Sequence, residues 1–238
     1  MKIALLGYGR MGKTIEELAI NRGHEICFKT STAINEDALK EADVAIDFSI
    51  PNAAFTNITT CFKLNIPVVS GTTGWLGNYD NAIEVCHNNN GSFIYASNFS
   101  IGVNLFFKLN KTLAKLMANQ QDYKIALKEI HHTKKLDAPS GTAITLAEHI
   151  IETTEHTSWH LKHEEGKDKI NSLGITAERT PDVPGTHTVS YTSAIDTIDI
   201  THTAHTREGF ALGAIIAAEW LKDKKGVFTM NDVLDSII

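Results

Sequence analysis

KIALLGYGRMGKTIEELAINRG, residues 2–23, decides the fold. An apolar run turns on three closely spaced glycines and continues in a helical pattern that stops at Gly23. Gly7, Gly9 and Gly12 form G-x-G-x-x-G directly after a strand and at the start of a helix. The first glycine allows the tight turn and the second lets backbone approach a pyrophosphate. The third lets helix and strand pack closely, with the phosphate at the helix N-terminus. The motif alone is weak, and a glycine turn without a ligand is the alternative. Its strand–turn–helix setting makes Gly7, Tyr8, Gly9, Arg10, Met11 and Gly12 the candidate cofactor contacts.

Outward from this unit the first half repeats its pattern. HEICFK, ADVAIDFS, IPVVSGTTG and SFIYASNFS read as short apolar strands, with helices at NAAFTNITTCFKLN and NAIEVCHNNN. Such alternation implies a doubly wound parallel sheet of Rossmann type with right-handed crossovers. The turns after the fourth and fifth strands, Gly71-Thr72-Thr73 and Ala96-Ser97-Asn98-Phe99, face the ligand crevice and are candidates for the nicotinamide half of the cofactor. Each taken singly is as readily an ordinary loop. The second strand lacks the acid that would hold a ribose 2′-hydroxyl; Lys29 stands near that place. A cation there suits a 2′-phosphate, so NADPH is expected to be favoured or at least accepted, unless Lys29 is merely solvated.

The second half differs. GVNLFFKLNKTLAKLMANQ is a long amphipathic helix, DYKIALKEIHH a strand and GTAITLAEHIIETT a second helix. In DTIDITHTAHT, Ile198, Ile200 and Ala204 point one way and Asp199, Thr201 and Thr203 the other. With THTVSYTS this is a half-exposed antiparallel sheet. REGFALGAIIAAEWL is a final, well-buried helix, and the polar stretch 153–171 reads as a surface excursion. The expected fold class is α/β: a Rossmann-type domain from 1–102 plus 206–238, with an inserted α+β domain over 103–205. The inserted domain carries a mixed, partly antiparallel sheet.

With 22 Lys+Arg against 28 Asp+Glu, the 238-residue chain carries a formal charge of −6. That argues against a nucleic-acid or anionic-membrane surface, so any bound anion needs a local basic pocket. Cys27, Cys61 and Cys86 form no C-x-x-C pair and read as reduced thiols. The N-terminal apolar run is too short for a signal segment and no run reaches membrane-spanning length, so the expected location is cytoplasmic.

The local basic pocket is visible at 129–143, EIHHTKKLDAPSGTA. His131, His132, Lys134 and Lys135 follow a strand, Asp137-Ala138-Pro139 turns, and Ser140-Gly141-Thr142 opens a helix. Hydroxyls at a helix start cap the backbone or share its free N–H groups with an anion. Taken singly, such a histidine is usually solvated, such a cap only a cap, and such a lysine pair only surface charge. Together on one loop they suit a small carboxylate, with one carboxyl group or two, and imidazole or ammonium is able to deliver a proton. His156, His160 and His163 have helix-like spacing, but no H-E-x-x-H accompanies them, and no metal is expected.

These motifs carry a resemblance. GYGRMG at 7–12, AIDFS at 45–49, GTTG at 71–74, NFSIGVN at 98–104, HHTKKLDAPSGTA at 131–143, GTHTV at 185–189 and ITHTAHTREGFALGAIIAAEWL near the C-terminus resemble the dihydrodipicolinate reductase family. H-H-x-x-K-x-D-A-P-S-G-T is far more specific than the glycine turn. The resemblance implies NADPH- or NADH-dependent reduction of 4-hydroxy-tetrahydrodipicolinate, a small cyclic dicarboxylate, to tetrahydrodipicolinate and water in lysine biosynthesis via diaminopimelate. It implies proton transfer by His131 and Lys135, rather than Lys134, and substrate contacts from His132, Ser140, Gly141 and Thr142. Cofactor contacts fall at 7–12, 71–73 and 96–99. Members are typically homotetramers built through the C-terminal-domain sheet. Lys29 departs from relatives that carry an acid there, and 153–171 lacks a clear family pattern. Another dehydrogenase, of an amino acid or aldehyde, and a non-catalytic dinucleotide-binding regulator are the rival readings.

Overall fold

A computed structural model describes residues 1–162, 170–206 and 208–237. In chain order it begins with β1 (Lys2–Leu6), α1 (Arg10–Asn21), β2 (Glu25–Thr30), α2 (Glu36–Leu39), β3 (Val44–Asp47) and α3 (Pro51–Lys63). β4 (Val68–Ser70), α4 (Tyr79–Asn88) and β5 (Ser92–Tyr95) follow. Next come α5 (Ile101–Met117), β6 (Lys124–His131), α6 (Gly141–Ile151), β7 (Ser158–Leu161), β8 (Ser172–Arg179), β9 (Gly185–Thr192) and β10 (Thr197–Ala204). The chain closes with α7 (Glu208–Leu221), β11 (Gly226–Phe228) and α8 (Met230–Asp235). It divides into two compact units, Met1–Ile101 with Glu208–Ile238, and Gly102–Arg207.

In the first unit six parallel strands run in the order β11-β5-β4-β3-β1-β2. Parallel sheets are covered on both faces, which is why the strands are apolar runs rather than alternating ones. Successive residues feed opposite cores. Ile3, Leu5, Val44 and Ile46 pack with α1 and α7, while Ala4, Leu6 and Ala45 pack with α3 and α4. α7 lies close because most of its buried residues are small: Ala211, Gly213, Ala214, Ala217 and Ala218, beside Ile215 and Leu221. A Cβ at Gly213 would stand 1.8 Å from the Phe99 carbonyl oxygen. Among the described residues no helix is long and apolar enough to cross a membrane.

The second unit has a mixed sheet in the order β10-β9-β6-β8-β7. β10, β9 and β6 pair antiparallel, and β6, β8 and β7 pair parallel. Leu127, Leu173, Ile175, Val189 and Tyr191 turn one face toward α5 and α6, which supply Phe106, Ala114, Leu146 and Ile150. Alternation along the strands leaves Lys124, Lys128, Thr188, Ser190 and Thr201 on the other face. The buried Asn110 of α5 donates to the Leu146 carbonyl of α6 at 3.0 Å and pins the two helices together.

The structure corrects the reading of 153–171 as a surface excursion. β7 lies within it and pairs with β8; residues 163–169 of that stretch, with His163, lie outside the described residues. The strand is only four residues long and rich in Ser and His, so its apolar period is too short to register. β11, at three residues, escaped for the same reason yet completes the first sheet beside β5.

The Gly213 contact makes a simple test. Gly213→Ala should destabilise the protein by about 1–3 kcal/mol in urea denaturation, the range for overpacking a filled site. Gly209→Ala, whose Cβ would meet its nearest neighbour, Ser100 Oγ, at 3.4 Å, should be tolerated to within about 0.5 kcal/mol.

Candidate active site

The glycine turn of the first unit has the geometry its spacing implies. Gly7 has φ of +100°, and a Cβ there would meet the Phe48 carbonyl oxygen at 2.1 Å. A Cβ at Gly12 would meet the Gly7 oxygen at 2.3 Å, so α1 can start this close to β1 only with glycine. Gly9 is different: nothing lies within 4 Å of its Cβ position. It is also the N-cap of α1, with no side-chain cap and no acid in the first turn. The leading N–H groups of α1 are therefore open to an anion. A cavity of about 410 Å³, lined by Gly7, Tyr8, Gly9, Thr30, Ser31 and Thr32 among others, adjoins the turn. These features fit a dinucleotide pyrophosphate and its ribose.

The other cofactor candidates divide. Arg10 is exposed, and Met11 packs partly against the core. Lys29 has partners that its sequence context did not reveal. Its ammonium donates to Glu16 at 2.8 Å and to the Tyr8 hydroxyl at 3.2 Å, and it lies 4.5 Å from the Tyr8 ring centroid. Tyr8 in turn donates to Glu16. The β2 end of the cavity is thus walled by Thr30, Ser31 and Thr32. A Cβ at Gly71 would run into the Phe48 ring at 2.2 Å. Thr72 is buried and donates to Asp47 at 2.7 Å, whereas Thr73 is exposed. Phe99 is core, so only its backbone can face a ligand, while Ala96 and Asn98 are half-buried and Ser97 exposed. Asn98 accepts from the Ser100 N–H at 2.9 Å.

Asp47 holds these turns together. It is fully buried and accepts from Asn57 at 2.9 Å, Ser70 at 2.9 Å and Thr72 at 2.7 Å. The Ser49 N–H joins by donating to Thr72 at 2.8 Å. All the donors are neutral, so burial outweighs them and raises the Asp47 carboxyl above its usual range.

In the second unit the sheet gathers a polar cluster. Period two puts Glu129 and His131 on the buried face of β6 with Leu127. The parallel register sets Arg179 of β8 opposite His131, and the antiparallel register sets His187 of β9 opposite Glu129. Glu129 has no solvent exposure. One oxygen accepts from the Ser140 N–H at 3.0 Å, and the other faces Arg179 Nη1 and Nη2 at 3.4 and 3.3 Å. Ser140 is the N-cap of α6: its hydroxyl accepts from the Ala143 N–H at 3.2 Å and meets His187 Nε2 at 3.1 Å. The rings of His131 and His187 stand edge to face, 5.0 Å apart.

Arg179 also donates to the carbonyls of Lys135 at 3.3 Å and Asp137 at 2.6 Å, tying the loop to the sheet. Lys135 is the half-buried lysine of the pair; Lys134 is exposed. The Lys135 ammonium grips the Asp137 carboxylate at 2.7 and 2.8 Å and lowers its pKa. Gly141 is exposed and Thr142 half-buried at the opening of α6, and His132 is half-buried. His131, Lys135 and Ser140, singled out in the sequence, lie with this cluster, while Glu129, Arg179 and His187 join it without having been singled out. A charge at an apolar-face position of β6 was the available signal for Glu129.

Electrostatics separate the two histidines. Burial lowers His131, Glu129 pulls it back up, and Lys135 and Arg179 push it down. Burial, helped by His131, holds His187 down at about 3, so it is neutral throughout the physiological range. Glu129, His131 and His187 bring three donor atoms within 4.8 Å of one another. Both oxygens of Glu129 are already engaged and one faces a guanidinium, which disfavours a second cation there. His156 and His160 bond separately, to Thr154 and Ser172.

Two family models match the chain: "Dihydrodipicolinate reductase, N-terminus" over residues 28–99 and "Dihydrodipicolinate reductase, C-terminus" over residues 102–234. The chain belongs to the dihydrodipicolinate reductase family. The 4-hydroxy-tetrahydrodipicolinate reductase of Christiangramia forsetii is 59% identical over 240 residues, covering 100% of this chain and 99% of that protein. The one from Ralstonia pickettii is 33% identical, covering 98% and 99%. Among solved structures, the dipicolinate-bound dihydrodipicolinate reductase from Paenisporosarcina sp. TG-14 superposes with a TM-score of 0.80 at 21% identity, covering 97% of this chain and 98% of that one. The amine dehydrogenase from Mycobacterium smegmatis shares the fold at 0.62 with 8% identity, covering 97% and 95%. Fold alone therefore spans more than one oxidoreductase chemistry.

The depressed pKa of His187 makes the stability of the chain acid-sensitive in a specific window. Unfolded, this histidine titrates near the ordinary value of about 6.5; folded, it does so near 3. Between those values the unfolded chain binds the extra proton, so stability is intact above the upper value and falls as pH drops. His187→Gln should flatten the slope of unfolding free energy against pH by up to about 1.4 kcal/mol per unit between these limits. Denaturant titrations across that range measure it.

Proposed function

We propose that this chain reduces 4-hydroxy-tetrahydrodipicolinate to tetrahydrodipicolinate, with release of water, in lysine biosynthesis via diaminopimelate. The observation that carries the reading is the full-length 59% identity to a 4-hydroxy-tetrahydrodipicolinate reductase. The polar cluster of the second unit supplies a chemistry that agrees with it. NADH or NADPH, when bound, supplies the hydride. The open backbone at Gly9 and the start of α1 receive the pyrophosphate, and Thr30, Ser31 and Thr32 line the ribose side. Lys29 offers a 2′-phosphate a cation once it exchanges Glu16 for that ligand, so both cofactors are accepted.

The substrate is a dicarboxylate. One carboxylate takes the free N–H groups and the hydroxyl at Gly141–Thr142, and the Ser140 cap fixes where that helix start points. The other takes Lys135 in place of Asp137, with His132 beside it. One hydride and one proton enter and one water leaves, so the chain must hold a proton for the reacting ring. Lys135 Nζ, charged, and His131 Nε2 are the donors. A dianion arriving beside His131 favours its imidazolium form and offsets the burial that lowers it. The Ser- and Thr-rich outer face of the β10-β9-β6 sheet is the surface through which four copies assemble, and the enzyme works in the cytoplasm.

The experiment is turnover of substrate made in place by dihydrodipicolinate synthase, followed as loss of reduced cofactor. The chain should consume NADPH at least as efficiently as NADH. His131→Ala and Lys135→Ala should each lower kcat by about 10²–10⁴-fold, and Thr142→Val should mainly raise KM. A folded wild-type chain that leaves the cofactor unconsumed would end the proposal, and near-normal kcat in both alanine variants would end the role assignment.

A further inference from the structure

The mechanism above needs His131 to present a chosen ring nitrogen, and a neutral imidazole has two tautomers. Three observations bear on this. Nδ1 is the inward nitrogen: it is buried and makes no hydrogen bond within the usual limits. Its nearest carboxylate oxygen is Glu129 Oε2, at 3.5 Å. Nε2 points the other way, toward Gly185, where an ideal Cβ would stand only 3.0 Å from it. Gly185 has an ordinary φ, so backbone conformation does not require glycine there. The space in front of Nε2 does.

We infer that Glu129 is the positioning residue that keeps the Nδ1 proton of His131 inward and Nε2 outward, and that Gly185 is glycine to leave Nε2 open to the substrate. The inference rests on the reading of His131 as a proton-transfer group. Glu129 is suited to the task because its own place is over-determined. The Ser140 N–H fixes the oxygen that faces His131, and Arg179 fixes the other. A carboxylate that cannot rotate gives the neutral imidazole one preferred tautomer. The proton step then balances simply. The Nε2 proton passes to the reduced ring, Nδ1–H stays on Glu129, and solvent reprotonates Nε2. The charged and titratable groups around the ring are Glu129 on its own strand, Lys135 and Asp137 in the loop, Arg179 on β8 and His187 on β9. Among them Glu129 and Asp137 are acids, and only Glu129 is buried.

The test is long-range ¹H–¹⁵N NMR on the full chain with labelled histidine, in the absence of substrate. His131 in the wild type should be the Nδ1–H tautomer when neutral. In Glu129→Gln the Nε2–H tautomer should gain population, and the His131 titration midpoint should fall by about one unit, since a neighbouring negative charge is gone. Glu129→Asp should retain the wild-type tautomer. Gly185→Ala should keep the tautomer but lower kcat by at least about tenfold, because its methyl occupies the approach to Nε2. A wild type in the Nε2–H form overturns the inference whether or not the variants fold. So does a folded Glu129→Gln protein with unchanged tautomer and midpoint, and so does a Gly185→Ala protein with wild-type kcat. The tautomer is read without substrate. Its failure is therefore distinct from failure of the reductase reading, which would appear as absent turnover in the wild type.

Discussion

A carboxylate with no access to water has to be compensated where it stands, and Glu129 is held by two other elements, β8 and the start of α6. Burying an ion costs several kcal/mol even after relaxation, and stripping one partner from a buried pair typically costs about 3–5 kcal/mol. Arg179 from β8, the N–H at the start of α6 and the imidazole at the end of β6 therefore have little freedom. The same contacts that neutralise Glu129 aim the helix start, anchor the 132–139 loop through Arg179 and hold the His131 ring.

The first unit solves a related problem differently. Asp47 is as buried as Glu129, but its partners are an amide and two hydroxyls, with no cation. Its carboxyl is consequently raised, whereas Glu129 keeps a guanidinium beside it. Asp47 thus fixes the turns beside the glycine-turn cavity with neutral donors, whereas the cluster around Glu129 concentrates Arg179, Lys135 and two imidazoles.

Much of this was legible in the sequence because it is local. The role of Gly12 is set by its contact with Gly7 within one strand–turn–helix, while Gly7 is also pressed by Phe48 beyond β3. The parallel strands of the first sheet declare themselves as uninterrupted apolar runs. His131, Lys135 and Ser140 lie on one short segment. Glu129 was visible but unremarked: alternation along β6 places it with Leu127 and His131, where an acid on an apolar face demands a partner. Arg179 and His187 arrive from distant strands whose register no local pattern reveals. The pairing of Lys29 with Glu16 on α1 was hidden for the same reason.

In the proposed reaction the start of α6 and the loop before it hold the dicarboxylate, and the glycine turn holds the nucleotide. The most direct measurement is a crystal structure of the chain with oxidised nicotinamide cofactor and pyridine-2,6-dicarboxylate. The account predicts one carboxylate on the Gly141–Thr142 N–H groups, the other on Lys135 released from Asp137, the pyrophosphate at Gly9, and the nicotinamide ring against the diacid. A diacid bound away from residues 131–142, or bound there with the nicotinamide out of reach, would contradict it.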